Sequence, residues 1–87
     1  MTTAAEIGEW FDRGVRQGAE YMIVVCDTFV HEDYPSYVQP GEDFWAKYES
    51  YDGKGMQRIM EVYNLRKSKP EQMGQRRAFA VPPRPAA

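Results

Sequence analysis

The stretch Tyr21-Met-Ile-Val-Val-Cys-Asp-Thr-Phe-Val30 is apolar on both parities and rich in β-branched side chains. A surface helix would interrupt such a run with polar residues every three or four positions, and a half-exposed strand would alternate. A strand covered on both faces does neither, so this segment is read as the central strand of a small sheet with packing layers above and below. After it, Val30-His31-Glu32-Asp33 reads as a polar turn, and Tyr34-Pro-Ser-Tyr-Val38 returns as a short strand. Pro35 has no N–H to donate to a ladder, which confines that strand to an edge.

Three further segments supply the layers. Thr3-Ala-Ala-Glu6 has the form of a capping box, and Ile7, Trp10, Phe11 and Val15 follow at helical spacing, predicting a helix over 4–17 closed by Gly18. Pro40-Gly-Glu-Asp43 opens a second helix with the apolar face Phe44, Trp45, Tyr48 and Tyr51, stopped at Asp52-Gly53. Residues 56–65 fit either period; Gly55, Asn64 and the need for a third strand favour strand. Ser68-Lys-Pro-Glu71 is a second capping box with proline in the first turn, predicting a helix to about Phe79. The order is α-β-β-α-β-α: an α+β fold with a three-stranded, mostly antiparallel sheet and helices packed on it. Residues 1–80 are expected to form one domain, and 81–87, Val-Pro-Pro-Arg-Pro-Ala-Ala, a flexible tail.

At 87 residues such a domain buries a modest core, so a homodimer is a reasonable expectation. Cys26 is the single cysteine, which excludes an internal disulfide and metal sites built on cysteine pairs. The N-terminus lacks the basic and apolar regions of a signal peptide, and the longest apolar run, Met22–Cys26, is too short to span a bilayer. A cytoplasmic protein without membrane contact is expected. The charge is divided: eleven acids stand against three bases through Gly53, and eight bases against two acids from Lys54 onward. A division of this size can steer a charged partner, or the halves can interleave and neutralise each other.

No catalytic motif is present. Cys26-Asp27 with His31 could suggest a nucleophile, but an adjacent carboxylate raises a thiol's pKa, and a buried cysteine acting as a small hydrophobe fits better. His31, Glu32, Asp33 and Asp27 match no cation-binding loop, and Gly53-Lys54-Gly55 lacks phosphate-loop spacing. No catalytic residue, metal or cofactor is therefore assigned. Two surfaces remain as candidate partner-binding sites. Tyr34 and Tyr37 flank Pro35 on the edge strand, where an exposed aromatic edge can receive another chain. Arg66, Lys67, Lys69, Arg76 and Arg77 form a basic cluster without any nucleic-acid-binding motif, so direct nucleic-acid binding is not expected. In an alternative reading Lys54, Arg58, Arg66, Arg76 and Arg77 hold a nucleotide or phosphate ligand.

The segments WFDRGVRQGAEYMIVVCDTFVHEDYPSYV and MQRIMEVYNL resemble a group of small uncharacterised proteins of bacterial and phage genomes. The resemblance brings no activity, cofactor or catalytic residue with it. It implies a compact accessory protein of the size phages use to bind and block a host system. The sequence is accordingly read as a non-enzymatic interaction protein, an anti-CRISPR-like inhibitor of a bacterial defence complex being the specific form expected.

Overall fold

A computed structural model of the chain describes residues 2–84. Its elements run α1 (Ala4–Arg16), β1 (Tyr21–Asp27), β2 (Glu32–Val38), α2 (Phe44–Tyr51), β3 (Gln57–Asn64) and α3 (Lys69–Met73), in the order the sequence predicts. The three strands form one antiparallel sheet ordered β2-β1-β3, with β1 in the centre. Within residues 56–65, Gln57–Asn64 settles as strand because β1 needs a partner on each side to satisfy its backbone groups.

Alternation along β1 divides the core. Met22 and Val24 face α1 and α3, where they pack with Phe11, Ala19, Tyr63, Leu65 and Ala78. Ile23 and Val25 face α2, with Val38, Phe44, Tyr48, Ile59 and Val62. A β-bulge lies opposite Val24 and Val25: Val24 pairs with Glu61 and Val25 with Ile59, so Met60 is the extra residue. Parity alone would put Ile59 on the same face as Tyr63 and Leu65. The bulge sends it to the α2 face instead and turns Met60 toward the α1 side.

Helix α1 starts where predicted. The Thr3 hydroxyl accepts from the Glu6 N–H at 3.2 Å, although Glu6 bonds that hydroxyl rather than reaching back to the cap backbone. Val15 departs from the expected stripe and is 49% exposed, while Gly14 makes the closest approach to the sheet. Asp43 caps α2 by accepting from the Ala46 N–H.

Three expectations are corrected. Strand β1 ends at Asp27, three residues early, because the Asp27 carboxylate accepts from the Phe29 and Val30 N–H groups and turns the chain. Strand β2 begins at Glu32, so the segment read as a polar turn is partly strand. Helix α3 ends at Met73, with Gly74 as its cap, instead of continuing to Phe79. Beyond it, Ala78–Ala80 runs parallel to β3: the Val62 N–H donates to Ala78 O and the Ala80 N–H to Val62 O. Satisfying the outer edge of β3 outweighs prolonging a five-residue helix. Of the segment read as a flexible tail, residues 81–84 have no regular secondary structure and lie against α2, with Val81 packed on the Phe44–Tyr48 side of the core; residues 85–87 lie outside the described residues.

Candidate functional site

Chemistry and exposure concentrate at one end of the sheet, where β1 turns into β2 and β3 begins. The turn Thr28–His31 is fixed from both sides. Asp27 holds its first half, and Thr28 donates through both its N–H (2.8 Å) and its hydroxyl (2.7 Å) to Met56 O, tying it to the loop before β3. His31 and Met56 both take left-handed backbone conformations, with φ of 57° and 61°. Such conformations are uncommon in residues other than glycine and persist where surrounding contacts fix them. This framework holds three large apolar side chains in solvent: Phe29 is 72% exposed, Met56 62% and Val30 51%.

Beside the turn, on the α1 face of the sheet, lies a cleft of about 730 Å³. Ile7, Val24 and Met60 give it an apolar floor, and Arg58, Arg76 and Arg77 stand around it with Glu61, Asp33 and His31. Arg77 is held in place: its Nε–H donates to Met60 O at 2.7 Å, and its guanidinium lies 4.5 Å from the centre of the Phe79 ring. The Glu61 carboxylate is already engaged by the Ala78 N–H. Among the described residues, none of the three arginines is in a salt bridge. The arrangement can hold a small anion with an apolar part: the floor takes the apolar part and the guanidinium groups take the charge.

The structure separates the residues that the sequence grouped together. Arg66 and Lys67 follow β3 at the opposite end of the sheet, where Arg66 pairs with Glu20 at 3.6 Å. Lys69 pairs with Asp12 on α1 at 2.9 Å. Only Arg76 and Arg77 of the basic cluster reach the cleft, where Arg58 joins them; Lys54 lies in the α2–β3 connection, outside it. Three of the four ion pairs among the described residues, Glu20–Arg66, Asp12–Lys69 and Glu49–Arg84, join the acidic half to the basic half. Three of the eight bases of the C-terminal half are thus paired with acids of the N-terminal half within the fold.

Tyr34 and Tyr37 point to opposite faces of β2, and both are half-buried. The Tyr37 hydroxyl donates to Trp10 O at 2.7 Å; the Tyr34 hydroxyl accepts from Gln57, and the Tyr34 ring meets the Tyr51 ring edge-on. Burial pushes the pKa of both phenols up. The edge beside them is blunted as well, since Lys47 Nζ takes Tyr37 O and Pro35 offers no donor. Cys26 is buried on the cleft side of β1, between Asp33 and Arg58 in the ladder. Burial pushes its thiol pKa up, and a hydrogen bond to Asp33 adds to the shift. That is the reverse of what a nucleophile requires. Among the described residues, no three His, Cys, Asp or Glu side chains converge to hold a metal ion, and no helix is long and apolar enough to cross a membrane.

The sequence reading missed the apolar tip. A signal was available: Asp27-Thr28 is a strong turn opener, and a turn placed there would have exposed Phe29 and Val30. No family model matches the chain, and no curated protein or solved structure matches it.

Proposed function

We propose that the protein is an interaction module that docks on another macromolecule through the β1–β2 turn and the adjoining Met56. One observation carries this reading: a turn fixed by four hydrogen bonds holds Phe29, Val30 and Met56 in solvent. Exposed apolar groups cost little when scattered, but a preorganised apolar knob loses little entropy on binding and buries well in a partner's pocket. The specific partner proposed from the sequence is a bacterial defence complex that the protein would block. Tagged protein in a bacterial lysate should recover one dominant partner, and Phe29→Asp should abolish that recovery without changing the melting temperature. Equal recovery by both proteins would remove the turn as the docking element.

The cleft favours a second reading, binding of a small anionic ligand by Arg58, Arg76 and Arg77. A ligand that binds only the folded state raises the melting temperature by mass action, about 2.7 kcal/mol at a hundred times its Kd. A nucleotide and organic-phosphate panel should give a shift that Arg76→Ala plus Arg58→Ala removes. A flat panel excludes this use of the cleft.

A further inference from the structure

The segment after β3's edge pairing reads as a bound ligand. Residues 81–84, Val-Pro-Pro-Arg, leave the sheet at Ala80 and run along α2. Successive prolines fix φ and remove backbone donors, so the segment makes no ladder of its own and its carbonyls are left for side-chain partners, as in proline-rich segments recognised by aromatic surfaces. Helix α2 supplies such a surface. Trp45 stands edge-on to Phe44 and packs against Tyr48, with ring centres 5.0 and 5.1 Å apart, and its indole N–H donates to Pro83 O at 3.3 Å. Arg84 then folds over the same indole, 4.0 Å from its centre, and its guanidinium reaches Glu49 at 3.0 Å. Trp45 and Glu49 are one turn apart on a single helix face, so ring and carboxylate grip one arginine together. Each kind of contact selects something different: the indole N–H a carbonyl without a local partner, the ring and Glu49 an arginine immediately after the prolines.

We propose that the Trp45–Glu49 face of α2 is a recognition site for a partner protein's Pro-Pro-Arg segment, held closed in cis by this chain's own residues 81–84. The contacts of Pro83 and Arg84 are exposed, so the end of the arm can lift from Trp45 and Glu49 while Val81, packed on the core, and the main-chain bonds between Val62 and Ala78–Ala80 keep it anchored. That anchoring gives the arm an effective concentration on the order of millimolar at its own helix, so a second copy at micromolar concentration does not displace it. A partner presenting a longer or multiply repeated segment does.

The test uses the full-length chain and the peptide AVPPRPAA, following the Trp45 indole N–H resonance with Trp10 as internal control. Arg84→Glu in the protein weakens the arm at a solvent-exposed residue without touching the core. The peptide should then shift the Trp45 signal of the variant at concentrations at least ~10-fold lower than it needs with the wild-type chain, because the wild-type site is free for only a fraction of the time. A peptide carrying the same Arg→Glu change should leave the signal in place. No Trp45 shift in the variant up to millimolar peptide overturns the proposal, as does an equal peptide requirement for variant and wild type. A concentration-dependent dimer that the peptide dissociates assigns the face to a second copy and overturns the partner.

Discussion

Two glycines in α1 should respond to the same substitution with opposite signs. Gly8 and Gly14 both sit inside the helix, where replacing glycine by alanine gains about 1 kcal/mol through backbone entropy. What the new methyl group meets differs. At Gly8 the nearest atoms are Lys69 Cε and Nζ at 3.5 Å, the far end of a flexible side chain at ordinary contact distance. At Gly14 it would lie 2.6 Å from Leu65 Cδ1 and 2.7 Å from Tyr37 Cε1. Neither neighbour yields easily, since Leu65 is buried and the Tyr37 ring is tethered through its hydroxyl to Trp10 O. Overpacking of this kind costs about 1–3 kcal/mol, and with contacts this short the upper half of that range applies. Gly14→Ala should therefore lose about 1–2 kcal/mol net, while Gly8→Ala gains up to about 1 kcal/mol. For a domain of this size each kcal/mol moves the melting temperature by about 4–8 °C, so differential scanning calorimetry separates the two variants clearly. Leu65→Ala removes one of the two obstructing groups and should shrink the Gly14→Ala penalty. If Gly14→Ala stabilises the protein as Gly8→Ala does, α1 does not sit this close to the sheet and the packing described here is wrong.

Gln72 is only 3% exposed and closes the end of β3, accepting from the Asn64 N–H at 2.7 Å and donating to Asn64 O at 2.6 Å. Gln72→Leu strands both groups, and urea unfolding should show a loss of about 2 kcal/mol; an unchanged midpoint would show that Asn64 finds other partners. Tyr21, Tyr34, Tyr37, Tyr48 and Tyr63 all have phenol pKa values pushed above 10.0 by burial. Their protonated state is thus favoured by folding: its contribution is complete below pH 10 and disappears as pH rises through the folded-state values. Stability should fall as pH rises above 10, and the absorbance of these five tyrosinates should appear at higher pH in the folded protein than in urea; coincident titrations in the two states would contradict it. The Cys26 thiol, buried and with its pKa pushed up by that burial, should react with Ellman's reagent at neutral pH far more slowly than in urea; equal rates would place it at the surface.

Element order and the central strand were legible because burial of β1 on both faces is written directly into its composition, and caps mark both main helices. The length of α3 was not, since the capping box at Ser68 describes only a start. In the structure the Ser68 side chain makes no capping bond at all, and the helix stops where Ala78–Ala80 can pair with β3. A competition between a short helix and a non-local strand pairing has no local signature. The aromatics of β2 were misleading for a related reason. An edge position implies exposure only if no helix overhangs it, and here α1 receives Tyr37 while the α2 side receives Tyr34.

The remaining departures from simple sequence rules are not scattered. The bulge that displaces Met60, the left-handed backbone at His31 and Met56, and the exposed Phe29 and Val30 all lie where β1 ends and β3 begins. A bulge re-aims side chains, and here it brings Met60 to the floor of the cleft beside Val24. Had β3 kept regular parity, Ile59 would lie on the cleft side and the α2 face would lose one of its core residues. Had β1 continued to Val30, Phe29 and Val30 would lie in the ladder rather than at its tip. The turn irregularities expose apolar surface, whereas the bulge serves both halves of the core by sending Ile59 to the α2 side and Met60 to the α1 side. Holding Phe29, Val30 and Met56 in solvent contributes nothing to the core, so the turn is where binding can be tested apart from stability. The turn and the cleft residues Arg58 and Arg76 are therefore where substitutions should cost binding while leaving the melting temperature unchanged. The cleft floor of Ile7, Val24 and Met60, by contrast, belongs to the core, and substitutions there should lower both.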